Sequence, residues 1–416
     1  MPAINTGDTA YVLVSSALVL LMTPALAFFY GGLVRRKNVL NTMMSSFMTI
    51  GVSSVLWVLV GYSLSFGPDV GGILGSLKWF GLNGVGWEPN ADYAGTIPHL
   101  AFTIFQMMFA VITPALITGA IAERMRFPAL MIFVPLWSLI VYYPLAHMVW
   151  GKGGLLSAIG AVDFAGGNVV HISSGVSGLV ACLLLGPRKN HRMVRTVPHN
   201  VPFVLLGAGL LWFGWFGFNS GSALAANGLA AHAFITTNTS AAAAMLSWMA
   251  LEMIVSGKPT ALGAATGLVV GLVAITPGAG FVPVWAAIII GLVVSPLCWF
   301  GVSVLKEKLG YDDALDAFGC HGIGGIWGGI ATGLFAQTSI NSVAKHNGLV
   351  FGDWQLVVSQ LVAISATIVL AIVGTFVIIK LIGLVTKLRV TPREEADGLD
   401  GSQHGESAYP SFMGLD

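Results

Sequence analysis

Long apolar runs, broken by short clusters of polar, charged and turn-forming residues, recur along the whole chain. A helix needs about 20 apolar residues to cross the hydrocarbon of a bilayer. Runs of that order fall at roughly 10–32, 42–66, 98–121, 128–149, 167–186, 201–219, 229–255, 260–277, 281–305, 317–336 and 353–386. The pattern predicts an all-α integral membrane protein with eleven transmembrane helices. Positions 67–97 make the longest loop, rich in Gly, Asn and Trp, and 387–416 form a polar tail.

Lys and Arg orient the spans, because cytoplasmic segments carry them in excess. With the N-terminus outside, sixteen of the nineteen fall inside, among them Arg35, Arg36, Lys37, Arg124, Arg126, Arg188, Arg195 and Lys306. Only Lys78, Lys152 and Lys345 fall outside. One span missed or added in the middle would break this alternation, so the count predicts N-out and C-in. Ten spans divide into two sets of five, about 10–186 and 201–336, with 353–386 left over. Five is odd, so the second set runs inverted. Inverted repeats are a recurring transporter design, with the pathway at the repeat interface near the midplane.

Composition narrows the class. Of 416 residues 56% are hydrophobic and 9% charged, against about 25% charged in a soluble domain. An ordinary cytosolic enzyme is excluded, and so is disorder. A net charge of +1 offers no basic excess for nucleic acid. Cys182, Cys298 and Cys320 are isolated in apolar sequence and read as small buried hydrophobes. The start, MPAINTGD, lacks a basic n-region, so the first run reads as a spanning helix and not a cleaved signal. No GxSxG, HExxH or GxxxxGK[ST] pattern occurs, so no enzyme and no cofactor are expected.

Of nine histidines, His191, His199, His346 and His404 fall in loops or the tail, and His99, His147 and His232 near span ends. His171 and His321 lie well inside the fifth span of each half. Each follows an aspartate by eight residues, in Asp163-FAGGNVV-His171 and Asp313-ALDAFGC-His321. Asp316 competes with Asp313 for the equivalent place. Eight helical residues rise about 12 Å. Entering from opposite faces of a core about 30 Å thick, both imidazoles land near the middle. Ionisable groups there are costly and usually line a route. A metal needs three or four ligands, and only Cys320 shares that depth. Midspan carboxylates are absent, which disfavours sodium coupling. A pair of imidazoles suits a small neutral hydrogen-bonding molecule or a proton relay. Glycines flank both histidines and read as close helix packing first.

Seven motifs then stand in order: Ala27–Lys37 (AFFYGGLVRRK), Ala120–Phe127 (AIAERMRF), Ala146–Gly151 (AHMVWG), Asp163–Ile172 (DFAGGNVVHI), Gly214–Ser222 (GWFGFNSGS), Asp316–Gly325 (DAFGCHGIGG) and Gly398–Tyr409 (GLDGSQHGESAY). On these residues the chain resembles the ammonium transporters of the Amt/Mep/Rh superfamily, on the Amt branch, from about residue 8 to 409. The resemblance implies a plasma-membrane homotrimer with one path per subunit. It makes 8–386 the transport domain and 387–416 a cytoplasmic tail.

It also implies roles. Phe109, Trp150 and Ser222 recruit ammonium at the outer mouth, where aromatic faces attract a cation. Phe109 and Phe218 form the gate. His171 and His321 are the twin pore histidines, and Asp163 is a structural and electrostatic residue capping the fifth span. Desolvating an intact ion costs several kcal/mol or more, so ammonium sheds a proton and ammonia crosses, with methylammonium as an analogue. The proton follows by a separate route. A PII-type signalling protein is an expected partner at Pro187–His199, Lys306–Asp313 and the tail. The alternatives are an ammonium sensor with little flux, Rh-like neutral conduction of ammonia, and a proton-coupled carrier for another small polar solute.

Overall fold

Asn5 begins the first helix. Its side chain accepts the Asp8 N–H at 3.1 Å, satisfying one of the donors that a helix N-terminus leaves open. The helix runs Thr6–Leu33, 28 residues, or roughly 42 Å at 1.5 Å per residue. That exceeds the hydrocarbon thickness of about 30 Å, long enough to span with some tilt. A computed structural model describes residues 4–189, 191–193 and 197–409. Arg195 of the charge count and part of the Pro187–His199 loop lie outside the described residues.

Among the described residues, nine helices are long and apolar enough to cross a membrane: Thr6–Leu33, Arg36–Phe66, His99–Ile121, Phe127–Ala158, Gly167–Leu185, Val201–Ala223, Gly228–Ser256, Val284–Leu309 and Gln355–Val385. The eighth and tenth places hold shorter elements. Ala261–Ile275 has 15 residues, and its continuation from Thr276 to Val282 is buried turn. Phe318–Gly322 runs into Ile323–Phe335. Every expected run is thus helical, and the eighth ends two residues early in buried turn.

Wide turns, closed by i→i+5 bonds, interrupt six of these helices, at Trp57–Gly61, Ser138–Tyr142, Gly167–Ile172, Phe216–Ser220, Gly301–Leu305 and Phe318–Gly322. Such turns cluster at functional sites because they displace side chains from the regular helical track. His171, Phe218 and His321 each sit in one.

The loop 67–97 forms two small antiparallel hairpins, Asp69–Val70 with Leu74–Gly75 and Pro89–Asn90 with Ala94–Pro98. Histidines anchor it, which their place near span ends did not foretell. His147 is fully buried, with Nδ1 3.0 Å from the Ser65 carbonyl and Nε2 2.9 Å from the Asp69 carboxylate. His99 bonds the Tyr62 hydroxyl and lies 3.2 Å from the Asn90 amide.

At the other end of the bundle the tail returns over the helix ends. Its helix Pro392–Asp397 opens with a capping box between Thr391 and Glu394. The Leu399 N–H donates to the Asn38 side chain, and the Asn41 N–H to Asp400, both at 2.8 Å.

Candidate functional site

The Gly167–Leu185 helix starts on a carboxylate. Asp163 accepts the N–H groups of Gly166, Gly167 and Asn168 at 2.7, 2.6 and 2.7 Å, and that of Val169 at 3.4 Å. Negative charge there also offsets the positive end of the helix dipole. Gly166 makes the turn with φ +117°, a conformation only glycine adopts without strain. The Trp150 indole N–H donates to the Asp163 carbonyl at 2.8 Å, which fixes the ring over the helix entrance.

From Trp150 the rings form a continuous line. Phe109 stands edge-on to Trp150, centroids 5.9 Å apart. Phe109 and Phe218 are 4.3 Å apart and tilted by 36°. Both are about 1% exposed, so they seal what lies behind them. The Ser222 hydroxyl donates its one proton to the Phe218 carbonyl at 2.8 Å. Its lone pairs are left to accept from an N–H donor.

Behind the phenylalanines, His171 lies 6.1 Å from Phe218 and stacks on His321 at 5.4 Å, 17° from parallel. The structure therefore brings the two histidines together, as their matched depth predicted. Trp215 stacks on His171 from another side at 5.4 Å and is held by its N–H bond to Thr276 at 2.9 Å. Nothing in the spacing singled out Trp215; its place inside the GWFGFN run was the only signal.

A cavity of about 20 Å³ sits against both imidazoles, with Leu26, Ile112, Trp215 and Phe218 among its walls. One water-sized molecule needs roughly 10–15 Å³ by this measure. Both ring nitrogens of His171 and Nδ1 of His321 are buried with no hydrogen-bond partner in the protein. Leaving such an atom unpaired costs about 1–3 kcal/mol. The pocket is thus apolar apart from unfilled imidazole positions.

The second aspartate reproduces the first in detail. Asp313 accepts the N–H groups of Ala317 and Phe318 at 3.0 and 2.7 Å. The residue three places on has positive φ in both copies, Gly166 and Asp316. Asp316 itself turns to Lys306 at 2.6 Å. Asp313 is therefore the partner of Asp163, and the competing alignment fails. The second copy also enters from the opposite end. The Ala314 and Leu315 N–H groups donate to the Ala120 and Gly119 carbonyls, where the His99–Ile121 helix finishes.

The two histidine-bearing helices cross on glycine. A Cβ on Gly175 would lie 2.2 Å from the Gly322 nitrogen and 2.6 Å from its Cα. Gly175→Ala is expected to separate these backbones, cost about 1–3 kcal/mol as overpacking, and lower transport with it. Gly51→Ala, where an added Cβ meets nothing within 4 Å, is the control. Thermal unfolding of the purified protein with an uptake assay checks both; equal behaviour of the two variants would refute the close crossing.

At the end opposite Trp150, charges knit the helix termini. Arg188 spans Asp312 and Glu123, with guanidinium bonds of 2.8–2.9 Å. Glu123 also accepts from Arg35 and from Asn38 at 2.7 Å. Burial opposes ionisation of Glu123, but the Arg188 and Arg35 guanidiniums prevail and hold it at about 2. Beside this network opens a cavity of about 1020 Å³ bordered by Arg188, His191, Lys306, Leu315 and Asp316. Among the described residues no three His, Cys, Asp or Glu stand together to hold a metal.

Comparison with known proteins places this geometry. The family model of the Ammonium Transporter Family matches residues 10–409. An ammonium transporter of Bacillus subtilis is 56% identical over 407 residues, covering 98% of this chain and 99% of the relative. Ammonium transporter Amt1 of Archaeoglobus fulgidus is 47% identical, covering 97% and 100%. The crystal structure of Saccharomyces cerevisiae Mep2 superposes with a TM-score of 0.89 at 36% identity, over 99% of this chain and 93% of that one. A solved sensor Amt protein superposes at 0.87 with 28% identity, over 96% and 98%. The chain belongs to the ammonium transporter family and is a multi-pass transporter of the plasma membrane, not an enzyme.

Proposed function

We propose that ammonium is recruited on the outer side by Trp150, Phe109 and Ser222, deprotonated beside the phenylalanine gate, and passed as ammonia along His171 and His321. The observation that carries this reading is the imidazole pair itself. Its unpartnered nitrogens border a cavity sized for one small molecule. Ammonia can donate and accept there; potassium can do neither and would have to enter bare. Ser222, with its proton already given to Phe218, distinguishes ammonium from potassium earlier, since only ammonium donates. The Asp163 carboxylate, on the residue whose carbonyl accepts from the Trp150 indole, adds negative potential at the same mouth. The proton crosses by a separate route, which makes transport electrogenic.

Ammonium-evoked current from proteoliposomes on a solid-supported membrane tests this, with potassium as control. A current with ammonium and none with potassium is expected. Trp150→Leu should change apparent affinity or current several-fold without lowering the unfolding temperature. An unchanged transport profile in that variant would remove the recruiting site.

The likeness to a sensor Amt protein favours a second reading, in which this site binds ammonium with little flux. Binding without current or methylammonium uptake is its signature. The assembly proposed is a homotrimer. The Lys306–Asp313 segment, the Pro187–His199 loop and the tail form the proposed docking face for a PII-type protein, beside the large cavity at the Arg188 end.

A further inference from the structure

Asp313 has no part in the transport reading so far, yet it occupies the mirrored place of Asp163. It is 1% exposed and lies eight residues before His321, about 12 Å along a helix. Lys306 reaches both the Asp313 carbonyl and the Asp316 carboxylate at 2.6 Å, and Lys306 and Asp316 border the large cavity. Toward the histidines stands Tyr30. Its hydroxyl donates to the Leu116 carbonyl at 3.0 Å, and Leu116 lines the imidazole cavity. Asp313 thus neighbours Lys306 on the wall of the large cavity and Tyr30, whose partner Leu116 lines the imidazole cavity.

Its neighbour in sequence is held in the opposite condition. Burial works against the Asp312 carboxylate, but the fork of Arg188 keeps it well below the usual range. Burial pushes Asp313 up to about 6, with Lys306 pulling down and Asp316 pushing up. Among the described residues, the other charged and titratable groups around Asp313 are Tyr30, Tyr311, Cys182, Cys320 and Arg124. Adjacent carboxylates driven apart in this way separate a structural role from an acid–base one.

We propose that Asp313 carries the transported proton between the histidine passage and the cytoplasmic cavity bordered by Lys306 and Asp316. This rests on the reading above that a proton crosses apart from ammonia. An O–H bond forms on an Asp313 carboxylate oxygen as an O–H bond of a hydrated proton arriving from the histidine side breaks, leaving water. It then breaks in turn as the proton passes to water in the cavity, and the carboxylate is restored. Asp312, locked by Arg188, keeps its charge throughout.

The test compares ammonium-evoked current with methylammonium uptake in the same proteoliposomes. Asp313→Asn keeps an acceptor for the backbone caps but cannot titrate. Its ratio of current to uptake should fall at least five-fold, and Asp313→Glu should restore it. A purely structural defect would lower both together and leave the ratio intact, overturning the proposal. Should the Asn variant not assemble, Lys306→Met decides. The wild-type current should fall as pH drops through the titration of Asp313. Removing the cation raises that titration, so the falling limb should move to higher pH; superposed profiles would overturn the proposal. A wild-type protein that takes up methylammonium without current would overturn this proposal together with the electrogenic reading beneath it.

Discussion

Alanine at both His171 and His321 is expected to lower methylammonium uptake at least ten-fold or to open the path to potassium, while the bundle stays folded. The two rings stack at 5.4 Å and wall the cavity behind Phe218. Truncating them enlarges a packed site, which by itself costs about 2–5 kcal/mol for a large side chain. It also removes three buried nitrogens that lack protein partners, each returning about 1–3 kcal/mol. The two effects oppose each other, so the unfolding temperature should move little. Function should move a great deal, because among the described residues lining the cavity only the imidazoles carry unpartnered polar atoms for ammonia, and a wider cavity admits water. Wild-type uptake with potassium still excluded, in a folded double mutant, would end the histidine mechanism.

Arg188→Ala should produce the largest loss of stability. Its guanidinium joins the end of the Gly167–Leu185 helix to Glu123 after one span and Asp312 before another. Side chains of both carboxylates are fully buried. Removing one partner of a buried pair costs about 3–5 kcal/mol; here Asp312 loses its guanidinium fork while Glu123 falls back on Arg35 and Asn38. Lysine should rescue poorly, since it lacks the planar fork that meets two carboxylates at once. Acid probes the same network. Glu123 titrates near 2 in the folded protein against an ordinary value of 4.5. A depressed folded value means its contribution is fully present above about 4.5 and is lost as pH falls toward 2. Thermal unfolding across that window should show wild type declining on acidification and Arg188→Ala already low and flatter. An Arg188→Ala protein as stable as wild type at neutral pH would refute the network's role.

Much of the architecture was legible because hydrophobic runs of membrane length announce helices one at a time. That an aspartate stands eight residues before each of His171 and His321 needed only a count. The choice between Asp313 and Asp316 did not yield to counting. It required seeing which carboxylate caps the backbone and which turns to Lys306. Trp215 carried no signal of its own, since an aromatic in an apolar helix has many ordinary packing roles. His147 and His99 looked like interfacial residues, but each bonds both a helix and the 67–97 loop, His147 reaching Asp69 from 78 positions away in sequence. The tail's return onto Asn38 and Asn41 spans about 360 positions, beyond any local pattern.

The amino-acid order alone determined that this chain lives in a membrane, where its helices lie, and that each half carries one histidine at matched depth. Those properties follow from transfer of apolar surface out of water and from a fixed rise per residue, both of which act locally. Tertiary structure alone decided that the rings stack, that the two halves cross on Gly175 and Gly322, and that Asp313 rather than Asp316 caps the second copy. These depend on which surfaces meet across long stretches of chain, and steric fit and hydrogen-bond direction choose among pairings that the same sequence leaves open.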